Sequence, residues 1–165
     1  RAQEVAKVVE RDFVQVRLTA TFYCPHDSTP AQCYLLPLQG KYLITGDITE
    51  SIYRPDCQFT DPTTNVHGVK KYTDAVKVLF DGNSSSLKLL SKPEVSSDGK
   101  EVTAQWELSG YLKFPWHPYV KPYTGTTVFT LDEKGLISSH AETWSISALD
   151  AALATITPTP GPGKE

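Results

Sequence analysis

Two regions of the chain carry apolar residues at the three- and four-residue spacing of an amphipathic helix. The first predicts a helix over Ala2 to Leu18, with an inward stripe of Val5, Val8, Val9, Phe13 and Val16. The second predicts a helix over Val69 to Phe80, with an inward stripe of Val69, Tyr72, Val76 and Leu79 or Phe80. Both segments precede the longest strands, so we expect the helices to pack on one side of a sheet.

The second half of the chain alternates between apolar and polar residues, as half-buried strands do. The alternation is clearest in one strand, whose inward face carries Val102, Ala104, Trp106, Leu108, Leu112 and Phe114. Thr126 to Leu131 and Leu136 to Ile146 are predicted to form a last hairpin. An earlier short strand, Cys57 to Asp61, ends at Pro62, because proline cannot donate to a ladder.

Helices followed by long strands predict an α+β domain with its helices on one side of an antiparallel sheet. A single domain is expected over residues 1–156, in which 23–46 form an irregular loop or insertion, and a Pro- and Gly-rich tail over 157–165. A short helix after the loop is expected to have Asp47 or Thr49 as its cap, with Ile48 and Ile52 inward. Ser147 to Ile156 are expected to form another.

The charge balance narrows the classes of partner. Sixteen Lys and Arg residues against 19 Asp and Glu residues give a net charge of −3. Because no basic stripe is present, a nucleic acid or an anionic membrane surface is not expected as a partner. The apolar runs are too short to span a bilayer.

The three cysteines leave two interpretations open. Cys24 and Cys33 could form a disulfide that closes a short loop, worth roughly 2–3 kcal/mol. Alternatively, all three thiols are reduced and Cys57 is a small core residue. No CxxC pair occurs, and His67, His117 and His140 lie on separate predicted elements, so neither a metal site nor a cofactor is expected.

Several short motifs occur in an order that resembles the nuclear transport factor 2-like superfamily, which includes ketosteroid isomerase and SnoaL-type cyclases. The motifs are Phe59-Thr60-Asp61-Pro62, then His67-Gly68 and Tyr72, then Leu131-Asp132-Glu133-Lys134-Gly135-Leu136-Ile137, and finally Trp144. The likeness runs from about Ile48 to Ile146. It implies a cystatin-like α+β cone, in which a curved antiparallel sheet wraps on N-terminal helices around a central pocket, with frequent dimers through the outer sheet face.

A narrower set of features resembles an uncharacterised branch of that superfamily found in plants, algae and cyanobacteria. The set comprises Asp61-Pro62, Trp106, Pro115-Trp116, Pro118, Gly125, Leu131-Asp132, Gly135, Ile137, His140 and Trp144. Together with a first residue, Arg1, that is not methionine, this branch implies a chloroplast location, in the stroma or the thylakoid lumen, after removal of a targeting peptide.

By this resemblance, Asp61 lies where ketosteroid isomerase keeps its general base. A carboxylate at a strand end in an apolar cone is desolvated, which suits it to proton abstraction. The oxyanion donors of that site are missing, because Phe13 stands where a phenol is needed and Thr127 where the strand would carry a second acid. Steroid-type isomerisation is therefore not expected. The alternative for Asp61 is a turn carboxylate that accepts nearby backbone N–H groups.

His140, Glu142 and Trp144 alternate along the last strand and therefore project to one face, which the resemblance places inside the pocket. A His–Glu pair beside Asp61 could perform acid–base chemistry near neutral pH, or could orient the polar end of a ligand. The alternative is that His140 and Glu142 hydrogen-bond across strands and Trp144 belongs to the core. The predicted pocket comprises Phe59, Asp61, Trp106, Thr127, His140, Glu142 and Trp144.

A rigid aromatic loop, Pro115-Trp116-His117-Pro118-Tyr119, interrupts the sheet. Trp116, His117 and Tyr119 form a candidate protein interface, because aromatic residues held by prolines make good anchors. Alternatively, the loop folds back over the end of the cone.

Two functions of different classes follow. The leading prediction is a non-catalytic binding or assembly protein, which holds an apolar small molecule in its pocket or serves as an accessory subunit of a larger, photosynthetic complex. Its expected protein partner is another subunit or a second copy of the chain. The alternative is an enzyme of isomerase, cyclase or dehydratase type that uses Asp61 or His140 as general base, with Glu142 as a further candidate.

Overall fold

The computed structural model describes residues 1–14, 41–157 and 161, together with the backbone of four two-residue strands between residues 16 and 39. The helices in this part of the chain are α1 (Ala2–Val14), α2 (Tyr42–Thr45), α3 (Val69–Leu79) and α4 (Ala148–Ile156), and a 3-10 turn spans Glu50–Ile52. The four short strands form two antiparallel pairs. In these, β1 (Val16–Arg17) pairs with β4 (Leu38–Gln39), and β2 (Phe22–Tyr23) pairs with β3 (Tyr34–Leu35).

The main sheet has seven strands. They are β5 (Tyr53–Thr60), β6 (Asn65–His67), β7 (Ser86–Leu89), β8 (Glu94–Val95), β9 (Glu101–Tyr111), β10 (Tyr119–Leu131) and β11 (Ile137–Trp144). Their spatial order is β6-β5-β11-β10-β9-β7, and β8 also pairs with β9. A register shift between Val120 and Tyr123 interrupts the β9–β10 ladder, and such a bulge bends a sheet.

The predicted α+β class is confirmed, with helices packed against a curved sheet that does not close into a barrel. One pairing departs from the antiparallel prediction, because β5 and β11 run parallel and the sheet is therefore mixed. Sequence periodicity does not distinguish the two directions for a strand whose partner is far along the chain.

Strand β5 is longer than the predicted Cys57 to Asp61, because Pro55 does not prevent strand structure here. Tyr53 pairs with Ile137 and Gln58 pairs with Ser139, so a register shift lies opposite Pro55. A proline lacks an N–H to donate, and an interruption of the ladder is a position where that lack costs little.

The core lies between the helices and the inner sheet face. Helix α1 buries Val5, Ala6, Val9 and Phe13, as the spacing predicts. It ends at Val14 and not at Leu18, and the next described residues, Val16 and Arg17, pair as β1 instead. The predicted inward face of β9 is confirmed from Val102 to Leu108, whereas Phe114 is partly exposed in the following loop.

The end of the predicted irregular loop over 23–46 is not irregular, because Tyr42–Thr45 form the short helix α2. Glycine terminates this helix: Gly46 has φ of 68°, and a Cβ at that position would lie 2.6 Å from the Thr73 carbonyl oxygen. Ile48 and Ile52 are buried as predicted. Thr49 precedes the 3-10 turn, but its side chain hydrogen-bonds Asp12 and does not cap the turn.

Candidate ligand-binding cavity

A cavity of about 390 Å³ lies between the inner sheet face and helices α3 and α4. Its walls are predominantly apolar, as in most small-molecule sites. Aromatic side chains form much of this wall. They are Tyr72 on α3, Phe80 just after α3, Trp106 on β9, Tyr123 on β10 and Trp144 on β11. The lining includes the carboxylates of Asp61 and Glu142, and no Lys, Arg or His from the described ranges contributes to it.

Asp61 follows the last residue of β5 and lies at the wall of this cavity. Its Oδ1 accepts two hydrogen bonds from Thr63, one from the backbone N–H at 2.7 Å and one from the hydroxyl at 2.7 Å. The backbone N–H of Asp61 also donates to the Thr64 carbonyl at 2.9 Å. These are the contacts of a turn carboxylate, and they use one of its two oxygens.

Glu142 is the centre of a buried hydrogen-bond network. Its Oε1 lies 3.0 Å from His140 Nε2 and accepts the Tyr72 hydroxyl at 3.4 Å. Its Oε2 accepts the Trp144 indole N–H at 3.1 Å. The side chain is only 8% exposed, so three protein donors replace the water that a carboxylate would otherwise bind.

His140 is buried beside the main cavity and does not line it. It borders a second hollow of about 20 Å³, together with Phe59, and Asp61 and Glu142 line both spaces. The imidazole packs among aromatic rings, with ring centres 4.8 Å from Phe129 and 5.1 Å from Phe59. Among the described residues, His140 Nδ1 has no hydrogen-bond partner.

Trp106 forms part of the cavity wall, and its orientation is fixed by two neighbours on β10. Its indole N–H donates to Thr127 Oγ1 at 2.8 Å, and Gly125 lies directly opposite it in the ladder. Gly125 also pairs with Trp144 on its other side, so a residue without a side chain separates the two indoles. Thr127 itself is fully buried and does not line the cavity, and its hydroxyl accepts the Trp106 N–H.

Burial raises the pKa of several tyrosines around this region. The pKa of Tyr72 is raised first by burial and then by the nearby Glu142 charge. The pKa of Tyr123 is raised by burial, then by Glu142 and by Asp61. Both phenols therefore remain protonated near neutral pH.

Helix α4 closes one side of the cavity through Ala151, Ala152 and Thr155. The Trp116 indole N–H donates to the Thr155 carbonyl at 2.8 Å, and the Trp116 ring stacks on Phe114 with centres 5.1 Å apart. The aromatic loop therefore folds against the helix over the cavity, which was the alternative to an exposed anchor. Trp116 nevertheless remains 46% exposed.

The other two candidate interface residues pack on β9. His117 stacks on Tyr111 with ring centres 4.7 Å apart, and Tyr119 contacts the same ring at 5.0 Å. His117 has φ of 45°, a conformation uncommon outside glycine, and it lies at the tip of this loop.

No group of three or more His, Cys, Asp or Glu residues within the described ranges is arranged to hold a metal. No described helix is both long and apolar enough to cross a membrane. Cys57 is a free, fully buried thiol on β5 whose pKa burial raises to about 12. Cys24 and Cys33, the candidate disulfide pair, lie outside the described residues.

Sequence reasoning did not select three groups that line the cavity: Tyr72 and Val76 on α3, Tyr123 on β10, and the inner side of α4. The apolar stripe of α3 marks Tyr72 and Val76 as inward-facing, but the same spacing describes an ordinary core helix. Tyr123 follows Pro122 at a bulge, where the register shift interrupts the strict alternation of the strand.

Residues 39–140 match the family described as "Uncharacterized conserved protein (DUF2358)", and the chain belongs to this family. Comparison with curated proteins gave no match. Solved structures with a similar fold include nuclear transport factor 2-like and SnoaL-like proteins, and membership of the plant, algal and cyanobacterial branch stays a prediction.

Solved structures share the fold with this chain. A de novo designed protein with a curved β-sheet has a TM-score of 0.50 and 13% identity, covering 93% of both chains. An NTF2-like protein of unknown function from Exiguobacterium sp. 255-15 has a TM-score of 0.47 and 16% identity, covering 59% of this chain and 80% of that one. A steroid delta-isomerase from Pseudomonas aeruginosa has a TM-score of 0.45 and 15% identity, covering 64% of this chain and 71% of that one. At these identities the likeness concerns the fold alone.

Proposed function

We propose that this protein binds an apolar small molecule in the 390 Å³ cavity and performs no chemistry on it. The observation that carries the proposal is the combination of an aromatic, mostly apolar wall with a carboxylate, Glu142, whose two oxygens already accept three protein donors. An apolar ligand buried against such a wall leaves water, which favours binding by about 25 cal/mol per Å² of apolar surface.

The same network argues against Glu142 and His140 as a catalytic pair. A general base must reach the proton that it removes, directly or through one water. His140 is 1% exposed and does not border the large cavity, and its Nε2 is hydrogen-bonded to Glu142. Both oxygens of Glu142 already accept hydrogen bonds from protein donors.

Binding can be tested with N-phenyl-1-naphthylamine, an uncharged dye whose fluorescence rises in apolar surroundings. We expect saturable binding of one dye per chain. Val76 lines the cavity and Val78 on the same helix is 71% exposed and does not, so Val76→Phe fills the site and Val78→Phe is its matched control. Val76→Phe should weaken binding about tenfold or more, with Val78→Phe unchanged, because the added ring takes up space that the ligand needs. Equal affinity in the two variants, or no saturable binding in the unsubstituted protein, would contradict the proposal.

An enzyme of isomerase, cyclase or dehydratase type is the second candidate. The observation that favours it is Asp61, because only one of its oxygens is used by Thr63 and the residue lines the cavity. A panel of polyketide and terpenoid substrates would separate the two functions. Turnover that is abolished in Asp61→Asn, with dye binding retained, would establish the enzyme and exclude the non-catalytic proposal.

Two further elements of the proposal rest on the family resemblance. One is a role as an accessory subunit, with a protein partner or a second copy on the outer sheet face; the other is a chloroplast location. Sedimentation velocity of the purified protein measures self-association, and import into isolated chloroplasts measures targeting. A monomer that co-purifies with no chloroplast complex would contradict the subunit role.

A further inference from the structure

The polar groups of the cavity are confined to a few side chains, and their hydrogen-bonding capacity is unequal. Glu142 has both oxygens occupied by protein donors. The Tyr72 hydroxyl is engaged with Glu142. Among the described residues of the wall, the second oxygen of Asp61 and the hydroxyl of Tyr123 have no hydrogen-bond partner and so keep their full capacity for a ligand.

Tyr123 is the more unusual of these two groups, because it is 91% buried, being 9% exposed. Its ring packs edge-on against Trp106 and Trp144, with centres 5.7 Å and 6.0 Å away. Within the part of the chain that the structure describes, its hydroxyl makes no hydrogen bond, and it is open to the cavity because it is not one of the fully buried atoms that lack a partner. A phenol that borders the cavity without a protein partner can donate a hydrogen bond to a ligand and accept one from it.

The charges on the cavity wall limit which ligands can bind beside Tyr123. Asp61 and Glu142 line the same cavity as Tyr123, and after burial the charges of Glu142 and Asp61 further raise the pKa of the Tyr123 phenol. Among the residues that the structure describes, the cavity lining supplies two carboxylates and no basic side chain. A ligand carboxylate or phosphate would be desolvated beside two like charges with no counter-ion, which is unfavourable.

We propose that the ligand is an apolar alcohol whose hydroxyl is held at this end of the cavity by Asp61 and Tyr123. A hydroxyl group both donates and accepts, so it can donate to the Asp61 carboxylate and accept from the Tyr123 phenol. A carboxylate can only accept, and a protonated amine can only donate. The aromatic rings of Trp106, Trp144 and Phe80 then enclose its apolar body. This inference rests on the proposed function, since it names the class of ligand for the same cavity.

Four compounds with one ring system test it by isothermal titration calorimetry at pH 7: naphthylmethanol, naphthylmethylamine, naphthoic acid and methylnaphthalene. We expect the alcohol to bind tightest, the acid to bind at least tenfold more weakly, and methylnaphthalene to fall between them. Tyr123→Phe should weaken the alcohol about three- to tenfold, the value of one hydrogen bond, and leave methylnaphthalene unchanged. Tyr119→Phe removes a hydroxyl from a ring that does not line the cavity, and it is the matched control.

The outcomes distinguish an error in the proposed class of ligand from an error in the proposed binding function. Equal affinities for all four compounds, or an acid that binds as well as the alcohol, would overturn the inference while leaving an apolar binding site in place. Tightest binding of the amine would overturn it in favour of recognition by charge. An unchanged alcohol affinity in Tyr123→Phe would overturn the role of the phenol. If neither methylnaphthalene nor the uncharged dye binds, the proposed function itself fails.

Discussion

Replacing Gly125 by alanine tests how tightly the cavity wall is packed. Gly125 lies in β10 between Trp106 on β9 and Trp144 on β11. A Cβ at this position would lie 2.3 Å from Cζ2, 2.4 Å from Cη2 and 2.8 Å from Cε2 of Trp106. Carbon atoms in favourable contact are about 3.5–4.0 Å apart, so the indole would have to retreat by roughly 1 Å.

The indole has little room for this movement, because Trp106 is 1% exposed and its N–H is held by Thr127 at 2.8 Å. Overpacking of a dense core costs about 1–3 kcal/mol. A displacement of this size also breaks the hydrogen bond, and a buried donor left without a partner costs a further ~1–3 kcal/mol. We expect Gly125→Ala to lower the free energy of unfolding by about 2–6 kcal/mol and Tm by roughly 5–25 °C for a chain of this length.

Urea unfolding and a thermal scan, each followed by circular dichroism, measure the effect. Gly82→Ala is the matched control, because nothing lies within 4 Å of its added methyl group, and it should stay within about 0.5 kcal/mol of the unsubstituted protein. In a Trp106→Phe background, where the smaller ring leaves space, Gly125→Ala should cost at least about 1 kcal/mol less. Equal stability of the two alanine variants, or simple additivity with Trp106→Phe, would refute the packing argument.

Three other measurements follow from the structure. The Cys57 thiol, which is fully buried and has its pKa raised to about 12, should react with a thiol reagent at pH 8 only as fast as the protein unfolds; rapid reaction in the folded state would contradict its burial. Burial also raises the pKa of four tyrosines above the ordinary value of 10.0, so the folded state favours the neutral phenol, and stability present below pH 10 should be lost as the pH rises further. The four residues are Tyr42, Tyr53, Tyr72 and Tyr123. Absorbance at 295 nm should show that they ionise only as the protein unfolds, and ionisation before unfolding would contradict this prediction. Ser147 caps α4 by accepting from the Asp150 N–H at 3.1 Å, so Ser147→Ala should weaken the helix by about 1 kcal/mol and speed amide exchange from Ala148 to Ile156, while exchange in α3 stays unchanged.

Much of the fold could be predicted because the longer helices and most strands of the main sheet carry a local hydrophobic pattern. The α1 stripe from Val5 to Phe13 and the alternation from Val102 to Leu108 follow directly from the periods of helix and strand. The parallel pairing of β5 with β11 could not be predicted in this way, because pairing direction depends on a partner far along the chain. Helix α2 could not be predicted for the same reason. It is four residues long, and its packing against α3, more than its composition, decides its structure.

Only some residues of the candidate cavity could be predicted from the sequence, for a similar reason. Asp61, Trp106, Glu142 and Trp144 do line it, because strand alternation sets the face on which a side chain lies. Alternation does not say how far along the strand a hollow extends, and His140 lies on the same face as Glu142 but inside the aromatic core. Tyr123, which the ligand inference requires, stands at a bulge where the alternation shifts.

The parallel pairing also bears on how the chain folds while it is being synthesised. On the ribosome, Tyr53–Thr60 emerges long before Ile137–Trp144, the strand that covers its second edge. Until then the nascent β5 is paired on one side only, with the three residues of β6, and its other edge is open to neighbouring chains. Pro55 has no N–H to donate to a ladder, so it shortens this open edge until β11 has been synthesised. Replacing Pro55 should therefore increase aggregation during expression more than it changes the stability of the folded protein.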